Sequence, residues 1–364
     1  MQSFINIDKN MLVAETIGDV QVNWYDVTNA PFTLHGFSKE ELEKGNFYRV
    51  PEEVAKNTSE GVEALSKESA GGRVRFSTNS PYIAIRAKFS VVGRSSHLTL
   101  ISSAGFDIYE DGEYGSKLIK EFRMPFDMVD YYEQVVELNG EKQRTFTVNF
   151  PVHSVVTKVE IGLKPNATLL SPKPYRDILP ILFYGSSIVH GTGACRPGLC
   201  YSSIISRMLN VDFYNIGFSG VARGEEAMAN WIATLPISVF VCDYDHNAPT
   251  VEHLQNTHFK FYELFRKAQP TTPYIMITRP DFYTKYTEQE EIFTRREIIM
   301  KSYLKARELG DKNVYFIDGL SFNYAPNVYD FSLDGCHPND AGFIRMANAI
   351  STIITYALEN KNEK

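Results

Sequence analysis

The chain of 364 residues carries a net charge of −7 at pH 7, and 43% of its residues are hydrophobic while 22% are charged. This composition is typical of a folded globular protein and excludes an intrinsically disordered chain. Because the sequence has no run of Lys or Arg, its charge pattern argues against nucleic acid or an anionic membrane as a partner. We therefore expect a neutral or weakly charged ligand, either a small molecule or an oligosaccharide.

The amino terminus and the hydropathy of the chain bear on its compartment. The first residues, MQSFINIDKN, have neither the basic start nor the apolar segment of a signal peptide. No uninterrupted apolar run approaches the roughly 20 residues that span a bilayer. We expect no membrane segment, and a cytoplasmic protein unless a leader was removed, in which case the protein would be periplasmic or secreted.

The four cysteines are too few and too scattered for a disulfide scaffold, and none of them forms a Cys-x-x-Cys zinc motif. Cys195 and Cys200 share a loop rich in Gly and Pro and could form a disulfide, so their pairing stays open at this point.

The first half of the chain has the pattern of an antiparallel β protein. Residues 38–70 are rich in Glu and Lys and predict short surface helices or turns. In the segment 81–90, PYIAIRAKFS, apolar and polar residues alternate with a period close to the two of a half-buried strand. Asp111-Gly112 and Asn139-Gly140 each predict a hairpin turn, because such pairs accept positive φ. These signals predict a β-sandwich or jelly-roll domain over residues 1–172.

The second half follows the proline-rich segment SPKPYRDILP and alternates strands with helices. Five apolar strands are predicted, in LPILFYG, VDFYNIG, ISVFVCDY, PYIMITRP and NVYFIDG. Helix-length segments separate them, and this order predicts an α/β domain over residues 178–364, with a flavodoxin-like, doubly wound parallel sheet.

Loops that follow the strands of such a sheet meet at one edge, where ligands bind. Ser187 lies in a tight Gly-containing turn and is a candidate nucleophile, although Ser-rich turns also cap helices. Gly220 could direct its amide at a substrate oxygen or could simply supply positive φ. Asn247 could donate its side-chain amide to a ligand or could cap the next helix.

A fourth loop contains Asp334 and His337, just ahead of the last predicted helix. An Asp three residues before a His can hold the imidazole through Nδ1 and leave Nε2 to face a serine. A solvated turn is the alternative for this loop taken alone. The order Ser, Gly, Asn, Asp-x-x-His at successive strand ends favours a catalytic site.

These four blocks resemble those of the SGNH (GDSL-like) hydrolases over about residues 178–360. The resemblance implies a serine esterase without metal or cofactor, in which Ser187 attacks the ester, His337 is the general base and Asp334 orients it. It also implies an oxyanion hole made of the Ser187 amide, the Gly220 amide and the Asn247 side chain.

Two positions depart from the family pattern. Ser186 stands where the family usually has an aspartate, and the usual Gly-x-Asn-Asp block reads Asp245-His246-Asn247-Ala248. Neither change removes a member of the triad, so both bear on substrate preference more than on catalysis.

A β-sandwich ahead of an SGNH domain is similar to the layout of bacterial two-domain carbohydrate esterases, including the acetyl-xylan type. This layout implies removal of short acyl groups, above all O-acetyl groups, from sugars. A lipase or thioesterase for longer acyl chains and a non-catalytic glycan-binding protein are the alternatives.

Four further residues are candidate substrate contacts, each with a structural alternative. His190 and His246 lie next to the catalytic blocks and could instead be hydrogen-bonded structural histidines. Arg196 and Arg223 lie on the loops after the first two strands and could bind an anionic group or remain solvated.

Overall fold

Three β-sheets and the helices around them make up the computed structural model, which describes residues 17, 20–113, 115–280, 289–323 and 328–361. The strands of the first half are β1 (Asn23–Asp26), β2 (Thr33–His35), β3 (Arg73–Thr78), β4 (Tyr82–Val91), β5 (Phe106–Gly112), β6 (Gly115–Phe122), β7 (Tyr131–Glu137), β8 (Arg144–Asn149), β9 (Val155–Leu163) and β10 (Leu169–Leu170). The short helices of this half are α1 (Lys39–Glu43), α2 (Glu52–Thr58), α3 (Glu60–Ser66) and α4 (Leu100–Ala104).

The strands of the first half form two antiparallel sheets. One has the order β1-β9-β4-β7 and the other the order β10-β3-β8-β5-β6, with β2 paired to β3. Ile83, Ile85, Ala87 and Phe89 of β4 are buried in the shared apolar core, as their alternation predicts. The predicted antiparallel architecture is confirmed.

One predicted hairpin forms and the other does not. β5 and β6 pair across the turn after Asp111, with Gly112 opposite Gly115. The hairpin predicted at Asn139-Gly140 is wrong, because β7 pairs with β4 while β8 pairs with β3 and β5 of the other sheet. Gly140 does adopt positive φ (75°), so the turn chemistry is as expected but the turn connects the two sheets.

Two of the helices predicted at the surface pack inward. α2 and α3 bury Ala55 and Val62 in the same core cluster as Leu182 and Ile216 of the second half. The Glu and Lys residues of α2 and α3 are partly or fully exposed, and this charged side is the reason why the sequence predicts surface helices. The segment 50–65 therefore completes the core of the α/β half.

The second half contains a parallel five-stranded sheet with the order β12-β11-β13-β14-β15, which is the doubly wound flavodoxin-like arrangement predicted. Its strands are β11 (Ile181–Gly185), β12 (Phe213–Gly217), β13 (Val239–Asp243), β14 (Tyr274–Ile277) and β15 (Val314–Ile317). The helices are α5 (Ser187–His190), α6 (Tyr201–Leu209), α7 (Glu226–Ile232), α8 (Val251–Ala268), α9 (Gln289–Glu308) and α10 (Asp340–Lys361).

The strand order reverses between β11 and β13, so a crevice opens beyond their carboxyl ends. The backbones at the ends of β11 and β13 approach closely there. The Ser186 N–H donates to the Asp243 carbonyl at 3.0 Å, and a Cβ added to Gly185 would lie 1.9 Å from the same oxygen. Gly185 is required by this approach, and it places the next two residues at the mouth of the crevice.

α10 is long and apolar enough to cross a membrane, but half of its most apolar stretch is buried within the protein. Phe343, Met346, Ile350 and Ile354 pack against the parallel sheet, so the apolar composition is accounted for by core packing. Cys195 and Cys200 are not joined, and both remain thiols, as do Cys242 and Cys336.

Candidate active site

Ser187 is the first residue of α5, immediately beyond the end of β11. The hydroxyl of Ser186 accepts the N–H of Ile188 at 3.2 Å and caps the helix. A serine in place of the family's usual aspartate thus provides the N-cap itself, since both residue types serve in that position. Ser187 is left half-buried, with its side chain free to face the crevice.

The structure brings Ser187, His337 and Asp334 together in one hydrogen-bonded chain. Ser187 Oγ lies 2.9 Å from His337 Nε2, and His337 Nδ1 lies 2.7 Å from Asp334 Oδ2. Because a carboxylate can only accept, Nδ1 carries the hydrogen and Nε2 presents its lone pair to the serine. This is the geometry in which an imidazole can remove the hydroxyl proton.

The turn that carries Asp334 and His337 is held by its own hydrogen bonds. Asp334 Oδ1 accepts the main-chain N–H groups of Cys336 at 3.0 Å and His337 at 2.8 Å, and Ser332 Oγ donates to the His337 carbonyl at 3.1 Å. Partial burial favours a higher pKa for Asp334, but the hydrogen bonds from His337 and Cys336 outweigh it and hold the pKa below its ordinary value. Asp334 is therefore a stable carboxylate at neutral pH.

Two main-chain amides at this edge are available to a ligand. Among the hydrogen bonds of the described residues, none uses the N–H of Ser187 or of Gly220. Gly220 has φ of 75° and is exposed, and a Cβ added to it would meet no atom within 4 Å. The glycine is thus required by its backbone conformation, which is strained for other residues.

Asn247 lies in a short 3₁₀ turn after β13 and is nearly buried. Its Nδ2 donates to the Phe218 carbonyl at 2.8 Å, which leaves the second amide hydrogen for another acceptor. The alternative role as a helix cap is wrong, because Thr250 caps α8 by accepting the His253 N–H at 3.0 Å. A donor amide is the role that the geometry leaves to Asn247.

His246 and Arg223 remain at the edge of the site. His246 Nδ1 lies 3.8 Å from Cys336 Sγ, beside the catalytic turn. Burial, followed by the charges of Arg279 and His337, lowers the pKa of His246 well below its ordinary value, so its imidazole is neutral. Arg223 is exposed, and its guanidinium reaches to 3.5 Å from the Gly220 carbonyl.

The other two candidate substrate contacts face the first half of the chain instead. The expectation for His190 is wrong because the residue is fully buried, with Nε2 3.1 Å from the Val152 carbonyl and 3.0 Å from Glu68. Arg196 is also misassigned, because its guanidinium pairs with the buried carboxylate of Asp107 at 3.1 Å and with the Tyr109 hydroxyl. Both side chains join the two halves of the molecule.

Sequence reasoning missed the residues from the first half that surround this site. Arg49 is fully buried and donates to the carbonyls of Asn215 at 2.9 Å and Gly217 at 2.8 Å, at the end of β12 and directly before the loop that carries Gly220. Glu68, His153 and His190 bring ligand-type atoms within 4.8 Å of one another, which is a spacing that a metal ion could bridge. No motif marks these residues, because their partners lie far away in the sequence.

Comparisons with known proteins identify the family of each half of the chain. The family described as GDSL-like lipase/acylhydrolase matches residues 179–355, and the N-terminal domain of SGNH-hydrolase-type esterases matches residues 22–169. No protein in a curated collection matches the chain.

Several solved structures share the whole two-part arrangement. A protein from Bacteroides ovatus classed as a GDSL-like lipase is 26% identical with a TM-score of 0.84, covering 93% of this chain and 98% of its own. The salicylyl-acyltransferase SsfX3 of a tetracycline biosynthetic pathway is 20% identical with a TM-score of 0.72 over 93% and 98% of the two chains. A family two carbohydrate esterase from Clostridium thermocellum, solved with cellohexaose, is 17% identical with a TM-score of 0.58 over 80% and 93%.

The two family matches cover both halves of the chain, and the parallel sheet presents the four sequence blocks at one edge. The chain belongs to the SGNH (GDSL-like) hydrolases and is an ester hydrolase of that family.

Proposed function

We propose that this protein is a serine esterase that removes short acyl groups, chiefly acetyl, from carbohydrate. The observation that carries the proposal is the chain of contacts from Ser187 Oγ to His337 Nε2 (2.9 Å) and from His337 Nδ1 to Asp334 (2.7 Å). It is supported by the main-chain N–H groups of Ser187 and Gly220, which make no hydrogen bond among the described residues and belong to the segments that follow β11 and β12.

The reaction runs in two steps. Ser187 Oγ forms a bond to the acyl carbon while its proton passes to His337 Nε2, and the carbonyl oxygen takes up the negative charge. The bond to the sugar oxygen then breaks, and that oxygen leaves with the proton from Nε2. Water next loses a proton to His337 and attacks the acyl-enzyme, which releases the carboxylic acid and restores Ser187.

The oxyanion of each tetrahedral intermediate would be held by three donors: the amides of Ser187 and Gly220 and the second hydrogen of Asn247 Nδ2. Donors fixed in advance stabilise the developing charge without reorganisation, which makes this term large in acyl transfer. The bond from Asn247 to the Phe218 carbonyl fixes the direction of that amide.

The exposure of the triad supports a polar substrate that is larger than the acyl group. The Asp334 side chain is 36% exposed and that of His337 is 20% exposed, so the triad lies at an open edge. Long acyl chains gain their binding energy from enclosing apolar surface. The flanking His246 and Arg223 offer polar groups instead, which suit sugar hydroxyls, and the fold is shared with a carbohydrate esterase solved with cellohexaose.

The test is an acyl-length series of 4-nitrophenyl esters on the wild type and Ser187→Ala, together with acetate release from acetylated xylo- and cello-oligosaccharides. We expect kcat/KM to be highest for acetate and to fall with acyl length, and Ser187→Ala to lose the activity. Equal rates in the two proteins would end the proposal.

The same experiment separates the alternatives. Activity that rises with acyl length would favour a lipase or thioesterase. No labelling of Ser187 by a fluorophosphonate probe, with retained binding of oligosaccharide, would favour a glycan-binding protein without catalysis.

A further inference from the structure

Residues from the first half of the chain contact the loop that carries Gly220. We propose that Glu68 and His190 are positioning residues that hold Ser219, and with it the Gly220 amide, in place for acyl transfer. The inference rests on the proposed esterase function, because it assigns Gly220 to the oxyanion hole. We call Glu68, His153, His190 and Ser219 the interface network.

The hydrogen positions in the interface network follow from its acceptors. His190 Nε2 lies 3.1 Å from the Val152 carbonyl oxygen and 3.0 Å from Glu68 Oε2. Both oxygens can only accept, so Nε2 carries the hydrogen and Nδ1 is left as an acceptor. Ser219 Oγ lies 3.1 Å from Nδ1 and therefore donates to it. The hydrogen on Nε2 is directed at the Val152 carbonyl, and the carboxylate of Glu68 beside it favours the same tautomer through its negative charge.

This contact acts on the residue next to Gly220. The preceding part of the loop is fixed separately, by Arg49 on the Gly217 carbonyl at 2.8 Å and by Asn247 on the Phe218 carbonyl at 2.8 Å. The hydrogen bond from Ser219 fixes the position directly before Gly220, whose own N–H makes no hydrogen bond among the described residues. A displacement of about 1 Å at such a donor is enough to lower a rate about a hundredfold.

The charges in the interface network are consistent with this assignment. Burial, and then the positive charge of Arg49, lowers the pKa of His190 to about 4, so its imidazole is neutral at pH 7. Burial works to raise the pKa of Glu68, but contacts with His153 and His190 hold it far below its ordinary value. His153 lies 3.5 Å from Glu68 through Nδ1 and 3.2 Å from the Thr192 hydroxyl through Nε2.

A metal ion is the competing occupant of Glu68, His153 and His190. A bound cation needs a lone pair on the ring nitrogen with which each histidine would coordinate it. His190 Nε2 instead faces two acceptors, one of them the Val152 carbonyl, and the buried Arg49 places a positive charge nearby. These contacts favour a metal-free hydrogen-bonded arrangement.

The experiment compares His190→Leu with His190→Gln, because glutamine retains one donor and one acceptor while leucine retains neither. Steady-state kinetics with 4-nitrophenyl acetate should show kcat lowered about tenfold or more in His190→Leu, with KM nearly unchanged, since the loss concerns the transition state. His190→Gln should restore most of kcat. Ser219→Ala, at a half-buried position that tolerates a smaller side chain, should lower kcat in the same direction.

The matched control is His258→Leu, which removes a buried histidine of α8 that stacks on Tyr244. It should leave kcat per folded enzyme unchanged, with folding followed by thermal unfolding. Equal kcat values for wild type, His190→Leu and Ser219→Ala would overturn the inference while Ser187-dependent hydrolysis still stands. Equal rates of ester hydrolysis in the wild type and in Ser187→Ala would overturn the esterase function and this inference with it.

A last experiment, with added Zn²⁺, tests whether the interface network binds a cation. We expect no change in the unfolding temperature of the wild type with Zn²⁺ or with EDTA. A Zn²⁺-dependent rise that His153→Ala abolishes would identify a cation site and would overturn the hydrogen-bond assignment.

Discussion

Asn247 and Phe218 are joined across the crevice by a hydrogen bond of 2.8 Å from the side-chain amide to the main-chain carbonyl. The bond links the turn after β13 to the loop after β12, so two of the three proposed oxyanion donors depend on each other's position. Asn247 therefore has two tasks, one for each amide hydrogen.

We predict that Asn247→Ala lowers kcat by about a hundredfold to a thousandfold, the loss seen when one such donor is removed. Thermal unfolding should show only a small loss of stability, of about 1 kcal/mol, because the variant loses one hydrogen bond, that to the Phe218 carbonyl. Turnover near that of the wild type would refute the role of Asn247 as an oxyanion donor.

We also predict that Asp334→Asn is nearly inactive, with kcat lowered by about a thousandfold to ten-thousandfold. The asparagine oxygen can still accept the N–H groups of Cys336 and His337, so the turn should be kept. Its amide would face His337 Nδ1, however, and would stabilise the tautomer that cannot accept the Ser187 proton. Asp330→Asn, an exposed carboxylate of the same loop, is the control and should retain full activity.

The buried histidines predict a loss of stability in mild acid. Burial lowers the pKa of His190 to about 4 and that of His258 to about 3, whereas both have the ordinary value of 6.5 in the unfolded chain. The unfolded state therefore binds more protons below pH 6.5, and the free energy of unfolding falls as pH drops from 6.5 towards 4.

The check is urea denaturation at a series of pH values between 7 and 4.5. His190→Gln should reduce the slope of stability against pH by up to about 1.4 kcal/mol per pH unit. The same substitution at an exposed histidine, His97→Gln, is the control. A flat pH profile in the wild type would contradict the prediction.

Apolar contacts across the proposed boundary between residues 172 and 178 predict that the second half is not stable by itself. Without the first half, residues 178–364 would lack Val50, Ala55 and Val62 of one core cluster and Val152 of another. Each buried side chain of this size contributes about 1.5–3 kcal/mol, a large share of a domain's stability. Expression of residues 178–364 should give aggregated or unfolded protein by circular dichroism, whereas the full chain should fold.

The sequence predicted those elements that depend on local pattern. α8 begins and ends where its apolar periodicity does, because Thr250 supplies a cap and the apolar face repeats regularly up to Ala268. The five strands of the parallel sheet are predicted from another local pattern, a short apolar run in each. The order of the catalytic blocks followed from strand order, since consecutive parallel strands present their loops at one edge.

Features that depend on distant partners could not be predicted in this way. The turn at Asn139-Gly140 was read correctly as a turn, but which strands it joins is decided by the assignment of β7 and β8 to different sheets. His190 and Arg196 are residue types that often line binding pockets, and both lie close to a strand end in the sequence. Only the positions of Glu68 and Asp107, from the other half of the chain, show that they are interface residues.

The contacts of Asp107 restrict how the N-terminal and C-terminal halves of such proteins can be exchanged between relatives. Its buried carboxylate accepts from Asn149 in its own half and from both Arg196 and the Gly198 N–H in the other. A chimaera that joins this N-terminal half to the hydrolase half of a relative lacking a donor at position 196 would bury a carboxylate without its cation. Exchange of halves between relatives should therefore succeed only when position 107 and the loop 196–198 are exchanged together.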